Sequence, residues 1–251
     1  MVHKRPDVLT IAGFDPCGGA GILADIKTFE ANKVQGFGAV TGLTFQNESE
    51  FEGVTWINAG DIIRQADLLF KKYKITMVKI GMVESLDLLV KIIAHCTLHT
   101  AHCKIIWDPI LKASAGFVIH NGFQYDKLIA VLKNIFLITP NMEEVKILAG
   151  ENNEMKAAQK LSAYCNVFLK GGHSRKKPGT DYLFFKNGKI TSFQPKKFTV
   201  TGKHGSGCVL SAAITANLAL GRNLQRSCFE AKGYVTQFLA SNKTLLGYHK
   251  I

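Results

Sequence analysis

The sequence is poor in proline and in acidic residues, and it has no long hydrophobic run. Only 6 of its 251 residues are proline, and no proline- or serine-rich linker divides the chain, which favours one α/β domain over residues 1–251. The longest apolar helical stretch, residues 209–220, is too short to cross a bilayer. The N-terminus lacks the apolar core of a secretion signal, so we expect a cytoplasmic protein.

Closely spaced cysteine pairs are also missing. The six cysteines are scattered, at Cys17, Cys96, Cys103, Cys165, Cys208 and Cys228, and without a C-x-x-C pair we expect free thiols rather than a disulfide framework. His95, His99 and Cys103 recur every four residues, which would align them on one helical face and could hold zinc. Exposed imidazoles that bond the last carbonyls of a helix explain the same pattern.

Acidic residues are outnumbered by basic ones, 19 to 31, so the formal net charge is +12. The basic residues form only short clusters, and no basic motif interleaved with aromatic residues is visible, which disfavours nucleic-acid binding. A dispersed positive field attracts polyanionic nucleotides. We therefore expect small-molecule and nucleotide partners, and neither a nucleic acid nor a membrane.

What the sequence does contain is a glycine-rich turn followed by a run of small apolar residues. The turn holds Gly202, Gly205 and Gly207, and residues 208–220 contain no helix breaker, so a buried helix is predicted to begin at the turn. Free amides at a helix N-terminus, together with the helix dipole, form an anion site that suits a transferring phosphoryl group.

Cys208 lies on the first turn of this predicted helix. The dipole and the free amides are expected to lower the pKa of its thiol, so that it can accept a proton from a substrate hydroxyl. The alternative is a glycine turn that opens a core helix with a buried cysteine.

Strands alternate with helices along the chain, which predicts a mostly parallel sheet covered by helices on both faces. The predicted strands are residues 8–12, 37–45, 75–80, 104–107, 135–139 and 166–170, followed by a β-hairpin over 182–193. The predicted helices are residues 22–33, 58–73, 85–99, 122–134, a helix opening at 141, 154–165, 208–220 and 224–246.

Polar side chains follow several of these strands, at the edge where parallel sheets bind ligands. Gln46 could read the edge of a heterocycle, and Met82 could pack on a flat ring or simply fill the core. Asp108 is a candidate for holding a magnesium-bound water or a phosphate-side lysine. Asn141 and Glu144 share a helix face and could hold hydrated Mg²⁺, although an N-cap with a capping-box glutamate explains them as well.

The first predicted strand leads into a glycine-rich loop, residues 13–21, and then into a helix. The spacing of its glycines fits neither a P-loop nor a dinucleotide fingerprint. Asp25 follows one turn into the helix, where an exposed carboxylate matched to the helix dipole is the simplest interpretation.

Together these motifs resemble the hydroxymethylpyrimidine/phosphomethylpyrimidine kinases of thiamine biosynthesis, within the ribokinase-like superfamily. The similarity covers nearly the whole chain, through motifs at residues 9–29, 44–47, 79–82, 107–110, 139–144, 169–173 and 204–213. The resemblance implies a three-layer α/β/α fold with a central, mostly parallel sheet, and a homodimer. It also implies ATP- and Mg²⁺-dependent phosphorylation of 4-amino-5-hydroxymethyl-2-methylpyrimidine and then of its monophosphate.

The resemblance also assigns roles by position. The pyrimidine site would be lined by Gly13, Ala20, Asp25, Gln46 and Met82, and the anion hole would be formed by Gly205, Ser206 and Gly207. Cys208 would take the place of the aspartate base of most ribokinase relatives. The residues near ATP and Mg²⁺ would be Asp108, Asn141, Glu144 and Lys170, with Asn141 and Glu144 holding the metal mostly through water and phosphates.

Three departures from the family pattern stand out. Ser114 occupies the position of a family lysine, and Lys112 appears two residues earlier; Cys17 replaces a serine, which adds a thiol that is expected to be oxidation-sensitive. The sequence ends at Ile251, short of the family's Gly/His-rich tail, so contacts from that tail are expected to be absent or altered. Pyridoxal/pyridoxine kinases share the His-Gly-Ser-Gly-Cys motif and are the nearest alternative, followed by a non-catalytic nucleotide-binding module.

Overall fold

A nine-stranded sheet organises the protein, as seen in a computed structural model that describes residues 4–99, 103–112, 119, 124–172, 178–195 and 202–250. The strands are β1 Asp7–Phe14, β2 Gln35–Gln46, β3 Phe51–Trp56, β4 Met77–Ile80, β5 Lys104–Trp107, β6 Leu137–Ile138, β7 Asn166–Leu169, β8 Asp181–Phe184 and β9 Ile190–Phe193. The helices are α1 Gly21–Ala31, α2 Ala59–Lys72, α3 Leu86–His99, α4 Tyr125–Leu132, α5 Met142–Ala149, α6 Glu154–Ser162, α7 Ser206–Ala219 and α8 Leu224–Leu239.

The strand order is β3-β2-β1-β4-β5-β6-β7-β8-β9. Six strands, from β2 to β7 in this order, are parallel, and the antiparallel strands β3, β8 and β9 lie at the two ends. The chain leaves β1 first for β2 on one side and later for β4 on the other, so the crossovers diverge at β1. Ligand crevices form where crossovers diverge in this way, at the carboxyl edge of the sheet.

Both faces of the sheet are covered, and successive strand residues therefore enter different cores. Leu9, Val78 and Ile105 belong to the core under α2 to α6, whereas their neighbours Val8, Met77 and Ile106 belong to the core with α7 and α8. Burial on both faces explains why these strands read as continuous apolar runs rather than alternating ones. The predicted three-layer α/β/α architecture is confirmed.

Helix α7 is buried on every side, because it packs between the sheet, α1 and α8. This environment explains why residues 208–220 are mostly small and apolar. None of the helices in the described ranges is both long and apolar enough to cross a membrane. All six cysteines are free.

Several predicted elements differ at their ends, such as α6 and β6, and the two largest differences concern β3 and α8. Strand β3 was not predicted, since its residues are only half-buried and Gly53 interrupts the β-forming pattern. Helix α8 ends at Leu239 rather than at residue 246. Beyond it the Asn242 amide donates to the Leu246 carbonyl at 2.8 Å, and this local bonding replaces the helix.

Candidate active site

A cleft of about 1290 Å³ lies at the carboxyl edge of the six parallel strands. It is larger than the usual small-molecule pocket of roughly 300–1,000 Å³ and has room for two ligands. The structure brings together in its lining all the predicted site residues except Asp25. They are Gly13, Ala20, Gln46, Met82, Asp108, Asn141, Glu144, Lys170, Gly205, Ser206, Gly207 and Cys208.

Asp25 lies below the floor of the cleft and is not part of its lining. Its side chain is fully enclosed, and both carboxylate oxygens accept from Lys79 Nζ at 2.7 Å. Thr10 Oγ1 donates a further bond at 2.6 Å. The interpretation of Asp25 as an exposed first-turn carboxylate is therefore wrong, and Asp25 reaches the cleft only through Lys79, which does line it.

Lys79 is the most unusual residue of the floor, because a lysine without exposed side-chain surface occupies a buried strand. Burial by itself lowers the pKa of Lys79, but the attraction of the Asp25 and Asp108 carboxylates outweighs it, and the pKa lies above its ordinary value. Sequence analysis did not assign Lys79 to the site. A lysine within the apolar run Met-Val-Lys-Ile was the signal that could have found it.

A second lysine–carboxylate pair also lies close enough to Cys208 to interact with it electrostatically. Lys170 Nζ donates to Asp108 Oδ1 at 2.9 Å and lies 3.7 Å from Glu144 Oε2. Thr139 and Ser211 also donate to Asp108, at 2.9 and 3.1 Å. The lysine contact predicted for Asp108 is present. Burial opposes the charge of Lys170, but the two carboxylates raise its pKa overall.

Asn141 and Glu144 form the capping box of α5. Asn141 Oδ1 accepts from the backbone N–H groups of Glu143 and Glu144 at 2.9 Å, and Glu144 Oε2 accepts from the Asn141 N–H at 2.7 Å. The capping interpretation is thus confirmed, while both side chains also line the cleft. Burial raises the pKa of Glu144 above its ordinary value.

The N-terminus of α7 meets the first loop at very close range. Gly205 has a φ of +69°, and a Cβ there would lie 2.0 Å from the Gly19 carbonyl oxygen, so only glycine fits. No side chain caps this end of α7, and within the first turn the Ser206 N–H donates to the Lys203 carbonyl at 3.3 Å. The helix ladder leaves the next amides free for an anion. A Cβ on Gly207 would lie 3.4 Å from Lys170 Nζ, which places that ammonium beside the helix end.

Cys208 is buried, and its predicted low pKa is wrong. Burial raises the pKa of its thiol to about 11; Asp108 and Asp25 add to the increase, while Lys79 and a hydrogen bond from the Gly21 backbone oppose it. Desolvation outweighs the helix dipole because the charged thiolate loses nearly all contact with water. At neutral pH Cys208 is a thiol.

The first loop and the glycine turn are joined by Asp15 and His204, which sequence analysis did not assign. Asp15 Oδ2 lies 2.9 Å from His204 Nε2 and accepts from the Ala20 N–H at 2.7 Å. Cys17 Sγ donates to the same oxygen at 3.3 Å. Burial and Asp15 raise the pKa of Cys17 to about 11, which disfavours the thiolate that oxidation requires.

The pyrimidine-site candidates line the cleft where β1, β2 and β4 end. Gln46 Nε2 donates to Thr44 Oγ1 at 2.9 Å, which leaves its carbonyl oxygen as an acceptor. Met82 packs against Gly13, since a Cβ at that glycine would lie 2.5 Å from Met82 Cε. The site thus has an amide and a thioether side chain at one end.

The opposite end of the cleft contains a further ion pair that the sequence did not reveal. Lys232 Nζ donates to Asp181 Oδ2 and to the Gly179 carbonyl, both at 2.6 Å, and Asp181 Oδ1 accepts from the Gly171 N–H at 2.8 Å. This network ties α8 to the loop after β7. The residues are distant in sequence, so no local motif pointed to it.

The C-terminal segment packs against the glycine turn. Lys203 Nζ donates to the carbonyl and the side-chain oxygen of Asn242 at 2.7 Å, and the His204 N–H donates to the Leu245 carbonyl at 2.9 Å. Residues after α8 therefore help to position this wall. Lys112 lines the cleft, whereas Ser114, at the position of the family lysine, lies outside the described residues.

Comparison with known sequences agrees with this geometry. Residues 15–250 match the family model for phosphomethylpyrimidine kinase. The hydroxymethylpyrimidine/phosphomethylpyrimidine kinase of Escherichia coli strain K12 is 33% identical, over 99% of this chain and 96% of its own length. The enzyme of the same name from Staphylococcus aureus strain MRSA252 is 32% identical, over 93% of this chain and 87% of its own length.

Solved structures of two related kinases share the fold of this chain. Phosphomethylpyrimidine kinase from Clostridium difficile 630 matches with a TM-score of 0.79 and 29% identity, over 93% of this chain and 99% of the other. An ADP complex of Bacillus subtilis pyridoxal kinase matches with a TM-score of 0.83 and 26% identity, over 96% and 94%. A ribokinase-like sheet, a cleft with a free helix N-terminus and these relatives lead to one conclusion: the chain belongs to the phosphomethylpyrimidine kinase family and is a phosphotransferase.

Proposed function

We propose that this protein transfers the γ-phosphoryl group of ATP to the hydroxymethyl group of 4-amino-5-hydroxymethyl-2-methylpyrimidine, and then to the resulting monophosphate. The observation that carries the proposal is the arrangement of one continuous cleft. Gln46 and Met82 lie at one end, and the free N-terminus of α7 and Lys170 lie further along. A flat polar ring and a polyphosphate can therefore lie in the cleft together.

Catalysis in this proposal rests on positioning and on charge. The transferring phosphoryl group would be bound in the predicted anion hole by the backbone N–H groups of Gly205 and Gly207, since the Ser206 N–H already bonds the Lys203 carbonyl, and by the ammonium of Lys170, which lies beside Gly207. Preorganised donors of this kind are the main source of rate enhancement in phosphoryl transfer, since the transition state needs little covalent help. Lys79 also lines the floor of the cleft, but its charge is largely balanced by Asp25, with which it forms a fully buried ion pair.

The carboxylates in the cleft fit a magnesium ion. Asp108 and Glu144 both line it, and Mg²⁺ in kinases is held by one or two carboxylates together with phosphate oxygens and waters. Asp108 and Glu144 already contact Lys170, which limits direct contact with the metal. We therefore propose that Glu144, together with Asn141, acts on the metal mostly through water. The ion would neutralise the charge that develops on the phosphates.

Cys208 remains the proposed proton acceptor, although its thiol pKa is raised rather than lowered. Because the pKa of its thiol is about 11, only a small fraction is thiolate at neutral pH, but that fraction is a strong base. Its contribution is therefore expected near the lower end of the usual range for general-base catalysis, roughly 10²-fold. The alkoxide that it helps to form would attack the phosphorus next to the α7 amides.

Selectivity between two rings tests the proposal. Pyridoxal is the second candidate substrate, favoured by the fold similarity to pyridoxal kinase. We expect kcat/KM, measured with ATP and Mg²⁺ and with the products identified by mass, to be higher for hydroxymethylpyrimidine than for pyridoxal. Turnover of pyridoxal alone would favour the second candidate. ATP binding without turnover of either ring would indicate a binding module.

We also propose a cytoplasmic homodimer. Leu43 and Phe45 lie two residues apart on β2, and 44% and 54% of their surface is exposed. Two large apolar side chains on one face of a strand are a common feature of subunit interfaces. Light scattering should give twice the chain mass for the wild type, and Phe45→Ser should shift the protein towards the monomer.

A further inference from the structure

Helices α2 and α3 carry a second group of chemically reactive side chains, none of which lines the cleft. Asp67 comes from α2, and His95 and His99 lie one turn apart on α3. One potential ligand atom from each residue lies within 4.8 Å of the other two. Two histidines four residues apart on a helix face the same side, so both imidazoles point to one location.

One of these imidazoles lacks a partner. Within the described residues, His95 Nε2 is buried without a hydrogen bond. Buried polar atoms nearly always find a partner, because an unpaired one costs about 1–3 kcal/mol. His95 is also one of the three residues whose potential ligand atoms converge, and a metal ion bound among them would give its imidazole a partner.

The other two groups are held in place from outside. His99 Nε2 lies 3.2 Å from Asp67 Oδ1, while Lys71 binds the other oxygen of Asp67. The ring of Phe70 stacks on His99 with a centroid distance of 5.0 Å and an interplanar angle of 3°. The His99 ring and the Asp67 carboxylate are therefore held in place before any ion binds, which lowers the entropic cost of binding.

We propose that His95 Nε2, His99 Nε2 and Asp67 Oδ1 bind one Zn²⁺ ion, with water as the fourth ligand, and that the ion links α2 to α3. Zinc prefers nitrogen and carboxylate ligands in tetrahedral geometry at about 2.0–2.1 Å, and adjacent ligand atoms are then roughly 3.3 Å apart. The separation of 3.2 Å between His99 and Asp67 matches this edge. Imidazole ligands disfavour Mg²⁺ and Ca²⁺, which select oxygen.

This site differs from the one that the spacing of His95, His99 and Cys103 predicts. The three side chains that converge are the two histidines and Asp67 of the neighbouring helix, and Cys103 is not among them. Burial raises the pKa of Cys103 to about 12, so its thiol stays protonated. The third ligand comes from a separate element, and no local sequence pattern could identify it.

Zinc titration against a chromophoric chelator tests the proposal. The full-length protein is stripped with EDTA, desalted and titrated as wild type, His95→Gln, His99→Gln and Asp67→Asn. We expect one equivalent of zinc that each substitution weakens at least about tenfold. Asp87→Asn is the matched control. Like Asp67, Asp87 is a carboxylate paired with a lysine, but it does not belong to the proposed site. The Asp87→Asn variant should bind zinc like the wild type.

The position of the ion needs its own readout, because Asp15, Cys17 and His204 also converge in the cleft. X-ray absorption at the zinc edge of the protein with one equivalent bound should show only nitrogen and oxygen at about 2.0–2.1 Å. A sulfur shell at about 2.3 Å would show that a cysteine, such as Cys17 or Cys103, binds the ion, and would overturn the proposal. Equal zinc affinity of His99→Gln and the wild type would overturn it as well.

Discussion

Two buried lysine–carboxylate pairs lie near Cys208, and they differ in access to the cleft. Lys79 and Asp25 have no exposed side-chain surface, and the carboxylate has three bonds from Lys79 and Thr10. Lys170 retains 15% exposure although its partner Asp108 is nearly enclosed. The closed pair has no position for a ligand. The open pair can share its ammonium with a phosphate.

The difference separates a structural role from a functional one. A fully enclosed ion pair is costly to break, because either partner alone is a buried charge without compensation. A partly open pair beside a helix N-terminus is instead a preformed anion site. We therefore expect substitutions in the first pair to affect mainly folding, and substitutions in the second to affect mainly turnover.

The largest effect is expected from breaking the closed pair. Lys79→Met leaves the Asp25 carboxylate buried without its cation, which should lower the free energy of unfolding by about 3–5 kcal/mol. Urea denaturation followed by circular dichroism measures this loss. Lys170→Met is the matched substitution and should cost no more than about 2 kcal/mol, since Asp108 keeps the bonds from Thr139 and Ser211.

A double variant sharpens that test. Replacing both partners, Lys79→Met with Asp25→Leu, removes both charges and should recover part of the lost stability, because apolar substitutes often equal a buried pair. If Lys79→Met unfolds at the same urea concentration as the wild type, the stability of the protein does not depend on this ion pair.

Lys170→Met should have the larger effect on catalysis. Removing a preorganised cation from the phosphate end is expected to lower kcat by roughly 10²–10³-fold, with little change in the KM of the pyrimidine. Steady-state kinetics with saturating ATP measures both constants. Lys243→Met serves as the control, since Lys243 is an exposed lysine at the rim of the same cleft. Equal kcat values for the two variants would remove Lys170 from the phosphate site.

The pH dependence of turnover tests the role of Cys208, which lies near both lysine–carboxylate pairs. With a thiol pKa of about 11, the thiolate fraction grows with pH, so wild-type kcat should rise by up to about tenfold per unit between pH 7 and 9. Cys208→Ser should reduce kcat by about 10² and remove most of this slope. A flat wild-type profile together with an active serine variant would exclude Cys208 as the base.

The smallest effect is expected at the ring end of the cleft. Gln46→Ala removes one polar contact to the pyrimidine, which should raise its KM about tenfold and reduce the discrimination against pyridoxal. The control is Asn47→Ala, because the Asn47 side chain accepts from Ser49 and Glu50 in the adjacent turn. Unchanged selectivity in Gln46→Ala would mean that another residue reads the ring.

Sequence patterns predicted the features that are local or periodic. The glycine turn before α7, the parallel strands and the polar residues at their carboxyl ends were all found, because turn chemistry and hydrophobic runs reflect local physics. Strand β3 was missed, since it is stabilised mainly by pairing with β2. The end of α8 was also missed, because contacts of Lys203 with Asn242 determine the path of the chain after it.

The errors within the site concern burial and long-range charge. The low pKa predicted for Cys208 considered only its own helix, whereas Asp25 and Asp108 arrive from α1 and the end of β5. Asp25 looked like a surface carboxylate, because its partner Lys79 is 54 positions away. Such contacts become visible only once the strands are in register.

The most direct test of the account starts from the monophosphate of the pyrimidine. The purified protein is mixed with this compound, ATP and Mg²⁺, and the products are followed by mass spectrometry over time. We predict stoichiometric formation of ADP and the pyrimidine diphosphate. Absence of the diphosphate, with pyridoxal phosphorylated under the same conditions, would contradict the proposed function.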